Sequence, residues 1–482
     1  MPRGYGALET MTATELMVDE IAGELGLDAI EFRLRNVLKS GMKDLQGVAA
    51  DDTQRAAAVL EKARSHQLWA NRLARKQTYD AAHPGKYYGV GFGCIQRRFG
   101  TGAEASLAKV ELSPDGRITL SHTGTEIGTG ASSGLAVACV RWLGRPADSL
   151  DLAVTGWPDL PVATSGDPHS MSQSEQDRLA ENPRWSPAYA SSSSASNSSY
   201  YLSHTAREAG RVVFLHGLWP AALAIWRIAP GSPAGGPEAA RWSGGSLLLE
   251  GHEPLPLARL AAEAHARGFV TGAAVHAFNR WQWAEADFLI EDAPMRLPLD
   301  GLAVRYGNGA GPASYRLLDR RNVGFPPVEN NNVMAGSLTA VGQLAEIAVD
   351  AGSGAVEILA HHTILECGNM LVPELVSGQI QGGAASGIGL ALHEFLPLYE
   401  EGPGDGSWNF NRYRLPRGSD VAVWTQTAEI LPPLSDSEPS KGMAEVVMIP
   451  IIAGILNGIT HAIGRRFRSL PVTRDQILAA LA

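Results

Sequence analysis

The chain has 482 residues, 45% of them hydrophobic and 19% charged, with 50 acidic against 40 basic side chains and a net charge of −10. That length favours two or three domains with sizeable cores, and an acidic balance without a dense Lys/Arg run excludes a nucleic-acid surface. Three scattered cysteines, Cys94, Cys139 and Cys367, exclude an iron–sulfur cluster or a cysteine zinc site held by this chain alone, and they give no disulfide framework, which fits a reducing, cytoplasmic setting.

Residues 10 to 41 carry Leu16, Met17, Ile21, Leu25, Ile30, Phe32 and Leu34 at helical spacing, and read as two helices joined at Gly26. The charged stretch 61 to 85 reads as a helical connector. From Tyr87 the pattern turns to strands: AKVEL, a turn at SPDG, then RITLSH. A glycine loop, HTGTEIGTG, leads into the helix-like SGLAVACVRWLG. Residues 160 to 190 are polar and read as an exposed excursion. At 190 to 226 a serine run passes without a break into a long apolar-periodic helix, and the Pro/Gly-rich 230 to 247 reads as a linker. The tryptophans of FNRWQW, 278 to 283, read as packing. After residue 300 come strands around LAEIAVDAGSGAVEILAHHTIL, then helices at LVSGQIQGGAASGIGLALHEF and VVMIPIIAGILNGITHAIGRRF. No apolar run reads as long enough to span a bilayer, and MPRGYGALE lacks the apolar core of a signal peptide. Helices and strands come in blocks rather than in strict alternation, which predicts an α+β fold.

The order strand, glycine loop, helix is also how a dinucleotide-binding loop reads, with Asp151 about 20 positions on as the ribose partner. Against a short-chain NAD(P) dehydrogenase stand some 120 residues before the loop and the absence of any Tyr followed four positions later by Lys. A further objection is that Asp151 precedes LAVTG, whereas the ribose-binding acid closes the second strand. Glycine loops and helix starts suit phosphates of other cofactors equally well, because their N–H groups favour negative charge.

Five stretches together resemble the xanthine dehydrogenase/aldehyde oxidase family of molybdenum hydroxylases. RGYGALETMTATELMVDEIAGELGLDAIEFRLRN resembles its R-G-F-G segment and helices, HTGTEIGTG its G-T-E-x-G-Q-G loop, and SSSASNSSYYLSHTA its serine-rich pterin loop. LVSGQIQGGAASGIG is similar to its G-Q-x-x-G helix start, and SKGMAEVVMIPIIAGILNGITHAIG to the segment with the catalytic glutamate. The resemblance implies the second molybdenum-cofactor-binding domain at 81 to 482, in two lobes, preceded at 1 to 80 by the end of the first such domain and a connector. It implies Glu445 as general base and Arg3 and Tyr5 beside metal and substrate. Gly128, Thr129, Gly130, Ser194, Ser196, Ser198, Ser199, Gln379 and Lys441 would hold molybdopterin, either as such or as its cytosine dinucleotide. No side chain here would ligate molybdenum directly. The 2Fe-2S clusters and FAD would sit on partner chains: an iron–sulfur subunit, a flavin subunit and a second molybdopterin-binding chain.

The implied reaction hydroxylates an aldehyde or N-heterocycle, purines included, with oxygen from water. Segments such as CIQRRFGTG, 94 to 102, would share in choosing the substrate. The chain departs from the family pattern at Thr129 (usually Gln), Ala444 (usually Gly), Asn197 (often Arg) and Glu366 (usually Asp). Family members also carry a further domain and a G-G-x-F-G-G-K stretch before R-G-F-G. With Met1 just before Arg3, the expectation is a split subunit completed by another polypeptide, or a truncated frame, with apolar area exposed on the 10 to 41 helices. The alternative reading is a non-catalytic paralogue acting in binding or assembly.

Overall fold

The run KYYGVGFGCIQRR alternates glycine with large side chains, and a period of two is how a strand sorts its two faces. In the computed structural model it forms the strand Lys86–Arg98. A Cβ added at Gly89, Gly91 or Gly93 would lie 2.1, 2.0 or 2.4 Å from the backbone oxygens of Gly458, Gly454 and Pro450. These glycines therefore let the helix Ile449–Ile463 lie backbone against backbone on the strand, and the Asn457 side-chain amide donates to Phe92 O at 3.0 Å. On the other face Tyr88, Val90 and Phe92 are buried with Val59 and Leu60 of the helix Ala56–Ser65.

The structure describes residues 3–44, 47, 49–229, 231, 236–291, 293–307, 315–328, 338–397, 409, 412–421 and 425–482. The chain divides into two units, Met1–Phe99 with Ala335–Ala482, and Gly100–Met334. In the first, Lys86–Arg98 pairs antiparallel with Leu338–Asp350, which pairs antiparallel with Val356–Glu366, and Thr425–Ile430 adds in parallel at the edge. The helix Ile449–Ile463 is apolar on every side, as a core helix must be. It has Pro450 in its first turn and left-handed Gly464 at its end. The helix Pro373–Leu392 approaches closely at Gly383 and Gly387, where a Cβ would meet Val447 and Ile451 at 2.9 and 2.2 Å. Near the N-terminus lie the two expected helices, Ala7–Glu24 and Ala29–Asn36, turned at Gly26 (φ +66°) and capped by Asp28. Their buried Glu15–Arg33 pair, 2.9 Å apart, ties one to the other.

The second unit holds a six-stranded sheet in the order Arg316–Leu318, Gly301–Tyr306, Val270–Asn279, Glu104–Leu112, Ile118–His122, Ser149–Asp151. Only its last pair is parallel. Val270–Asn279 is buried along its whole length, so VTGAAVHAFN carries no alternation to announce a strand, and the sequence reading passed over it. It also passed over the helix Leu257–Arg267. The helix Ser198–Trp226 is continuous but contains two π-turns, Ser198–Leu202 and Phe214–Leu218. At the second, a Cβ on Gly217 would lie 2.0 Å from Val270 O.

Several expectations are corrected. Ser198–Trp226 and Val446–Ile463 are long and apolar enough to cross a membrane by length and composition, but 56% and 83% of their apolar windows are packed inside the structure. The 160 to 190 excursion is largely exposed, as expected, but it is also anchored. Leu160, Met171 and Trp185 are buried, and buried Arg280 donates to Gln176 Oε1 at 2.9 Å. Of the supposed linker, residues 230 and 232–235 lie outside the described residues, while Arg241–Ser243 pairs with Ser246–Leu248, which pairs in turn with Leu255–Pro256 in a small sheet. One objection to the dinucleotide reading also fails, since Asp151 does close a short strand parallel to Ile118–His122.

Candidate functional site

Glu445 stands at the N-cap of the 3-10 turn Val446–Met448, whose three side chains are buried. Those side chains anchor the turn, and neighbouring strands hold its backbone. Gln343 Nε2 donates to Val447 O at 2.8 Å, Thr339 Oγ1 to Gly442 O at 2.8 Å, and Lys441 N to Cys367 O at 2.9 Å. The carboxylate turns away from the apolar core. Arg97 Nη1 donates to its Oε2 at 2.6 Å, and Gly4 N–H reaches Oε1 at 3.3 Å. Although its sequence neighbours in VVMIPII are apolar, the carboxylate is held in an ion pair. Sequence reasoning missed Arg97; its signal was an arginine pair closing an otherwise apolar strand.

Arg3 donates through Nε to Ala444 O at 2.6 Å and through Nη2 to Gln379 O at 3.0 Å. Burial holds its guanidinium below the usual arginine value, opposed by the charge of Glu445. Three separately expected residues, Arg3, Gln379 and Glu445, are therefore brought together. Gln379 is not at a helix start, because its helix begins at Pro373. Its N–H lies inside the hydrogen-bonded ladder, so its side chain is what it can offer a ligand. Tyr5 is 83% exposed. Lys441 is buried, and its Nζ meets Glu366 at 2.8 Å, Glu438 at 3.4 Å and Thr53 O at 2.9 Å. Its ammonium thus donates to Glu366 and Thr53, with the Glu438 carboxylate beside it as a second counter-charge. Glu366, pushed up by burial and pulled back by Lys441, is half of that pair.

In the other unit, the glycine loop and the serine loop meet. Thr125 N–H donates to Ser193 Oγ at 2.7 Å. His122 accepts from Gly124 N–H at Nδ1 (2.7 Å), and its Nε2 faces Leu202 O at 2.9 Å. The expected donors of the glycine loop are already engaged. Glu126 accepts from Gly128 N–H (2.7 Å), Gly130 N–H (3.2 Å), and both the N–H and the hydroxyl of Ser132. Desolvation works against this carboxylate, but those bonds outweigh it and hold it below the usual value. A phosphate cradled by Gly128 and Gly130 would have to displace Glu126. That residue sits inside the quoted motif and was overlooked.

The serine loop carries Ala195 and Ser196 in left-handed conformations (φ +54° and +58°), a strain that non-glycine residues adopt where the surroundings demand it. Asn197 is fully buried and donates to Glu104 Oε2 and Ser192 O, so it ties the loop to the sheet. Ser194 Oγ bonds Ser192 Oγ, and Ser199 O accepts from Ser203 Oγ. Buried and unpartnered at these loops are Thr129 Oγ1, Ser198 Oγ and Asn197 Oδ1. A buried polar atom without a partner is costly. Two hydroxyls and an amide oxygen of this kind match the donors and acceptors of a pterin phosphate ligand, so the residues present fit molybdopterin. FNRWQW packs as expected: Phe278 is buried and Trp283 stacks on His204 at 3.6 Å.

Comparison with known proteins agrees with that fit. Residues 62–166 and 299–422 match one family model described as a molybdopterin cofactor-binding domain, and residues 1–37 match a second with the same description. The chain is 26% identical over 481 residues to the putative xanthine dehydrogenase molybdenum-binding subunit XdhA of Escherichia coli K12, covering 98% of this chain and 52% of that protein. It is 21% identical to the aldehyde oxidoreductase molybdenum-binding subunit PaoC of E. coli O157:H7, covering 99% and 52%. Its fold matches quinoline 2-oxidoreductase of Pseudomonas putida 86 with a TM-score of 0.67 at 20% identity, covering 99% of this chain and 52% of that one. Fold and loops together define a molybdopterin cofactor-binding protein of α+β architecture. The chain belongs to the xanthine dehydrogenase/aldehyde oxidase family, and spans about half the length of the curated relatives it matches.

Proposed function

We propose that this chain is the molybdenum-cofactor-binding part of an oxidoreductase that hydroxylates an aldehyde or an N-heterocycle with water-derived oxygen, and that Glu445 is its general base. The observation that carries this reading is convergence. Positions 3, 379 and 444, remote in the chain, are linked by the Arg3 hydrogen bonds beside a carboxylate that has a donor at each oxygen. Bound molybdopterin supplies the molybdenum redox chemistry. The residues of this chain orient and move protons. Oε1, whose Gly4 contact is 3.3 Å against 2.6 Å for Arg97 on Oε2, is the oxygen we assign to take one. Gln379 offers its amide to the pterin edge. Thr129, Ser194, Ser196, Ser198 and Ser199, with Gly128 and Gly130 once Glu126 moves aside, offer the remaining contacts. Arg3 and Tyr5 border the substrate, and Lys441 acts by fixing the 440 to 445 segment.

The cytosine dinucleotide form of the cofactor, 2Fe-2S and FAD on partner subunits, and a cytoplasmic setting complete the proposal. Relatives named as molybdenum-binding subunits support the partners. Met17, Ile21 and Leu25, spaced four apart on one helix face, are 54%, 37% and 60% exposed, which supports a further molybdopterin-binding domain covering them. The test is Glu445→Gln, purified with its partner chains from its own host. It is expected to keep molybdenum, by metal assay, while losing roughly 10²–10⁴-fold in turnover, the usual worth of a general base. Full turnover in that variant would remove Glu445 from the role. A wild-type assembly that holds molybdopterin without any turnover would favour the non-catalytic reading.

A further inference from the structure

Beside the proposed base stands a cation that the sequence reading did not use. Arg97 lies in Lys86–Arg98 opposite Thr339 of Leu338–Asp350, and Thr339 Oγ1 holds Gly442 O. One strand pair therefore carries both the guanidinium and an anchor of the segment that bears Glu445. The two side chains are 11% and 14% exposed, with Arg97 Nη1 2.6 Å from Glu445 Oε2. Arg97 from this strand and Arg3 from the N-terminal turn both bring positive charge to the carboxylate. Gly4 N–H adds a neutral donor, and Gln379, from the helix Pro373–Leu392, reaches the site through Arg3.

We infer that Arg97 is a positioning residue for the Glu445 carboxylate: it clamps Oε2 and so fixes the direction in which Oε1 is presented. The inference rests on Glu445 being the base. A general base must be held still against the reacting atoms. An arginine at hydrogen-bond distance fixes one carboxylate oxygen through a charge-assisted bond. The backbone anchors fix the main chain, but not the side-chain torsions.

Two measurements test this. On the purified chain, a double-mutant cycle of denaturant unfolding uses Arg97→Met, Glu445→Gln and both together. The double variant should depart from the product of the single effects by on the order of tenfold in the unfolding constant. Multiplicative effects would show that the two groups are not coupled and would overturn the clamp. On the assembled enzyme, Arg97→Met should retain molybdenum while kcat falls roughly tenfold or more with KM little changed, and Arg97→Lys should restore most of the lost kcat. An unchanged kcat per molybdenum, with folded protein merely reduced, would make Arg97 structural and overturn the inference. If Glu445→Gln leaves turnover intact, the base assignment fails instead, and the unfolding cycle still reports on the pair.

Discussion

At the scale of single residues, the loops are held by groups in one defined protonation state. His122 accepts from Gly124 N–H at Nδ1, so its proton sits on Nε2, facing Leu202 O. Full burial then lowers its titration to about 4, with the Leu202 bond opposing. A histidine depressed from its usual 6.5 contributes stability that is complete above pH 6.5 and is lost as the pH falls toward about 4. Each unit of that fall costs on the order of 1.4 kcal/mol. Denaturation midpoints taken at pH 7 and pH 5 should therefore drop more in the wild type than in His122→Gln. Equal drops would place the acid sensitivity elsewhere. His361, also fully buried and lowered to about 3, works in the same sense. Glu15, raised by burial with Arg33 opposing, works in the other, losing stability as the pH rises. The comparison is accordingly made between variants rather than on the total curve.

At the scale of elements, the helix Ile449–Ile463 and the strand Lys86–Arg98 form the joint on which the Glu445 turn depends. Gly91 sits at its tightest point, where an added Cβ would be 2.0 Å from Gly454 O and 2.1 Å from Gly458 N. Backbone cannot step aside as a side chain can. Gly91→Ala is therefore expected to cost about 3 kcal/mol or more, at the upper end of overpacking. Gly26→Ala provides the contrast. It has a positive φ of 66° but nothing within 4 Å of its would-be Cβ, and should cost about 1 kcal/mol from backbone strain alone. Urea unfolding of both variants checks the difference, and similar costs would show that the strand–helix contact is looser than described.

At the scale of the molecule, the helix Ala7–Glu24 buries Leu8, Thr12, Glu15 and Ala22 while Met17 and Ile21 stay exposed, with Leu25 just beyond its end. A helix with an unburied apolar stripe gains by association. Changing Met17 and Ile21 together to lysine should leave the isolated chain's stability within about 0.5 kcal/mol, as surface changes usually do. The same change should abolish co-purification with a partner that covers the stripe. Unchanged co-purification would move the interface to another face.

Much of this architecture was legible from one chain. Amphipathic spacing marked the N-terminal helices, Gly26 marked their turn, and the glycine loop, serine run and GMAEVVMIP segment marked the family, because local propensity and short motifs are written in adjacent residues. What adjacent residues could not reveal was who meets whom. Val270–Asn279 escaped notice because a strand buried on both faces loses its alternation. The glycine loop's donors looked open until Glu126, two and four residues upstream of Gly128 and Gly130, folded back onto them. Lys441 looked ready for a ligand until Glu366, Glu438 and Thr53 closed around it. The surroundings of Glu445 were hidden for the same reason. Its neighbours in sequence are apolar, but its neighbours in space are Arg97 and Gly4, brought there by strand register and by a helix start more than 300 residues away. Composition and motif therefore sufficed for class and cofactor. The charge state and aim of each site residue depended on contacts distant in the chain, which packing alone creates.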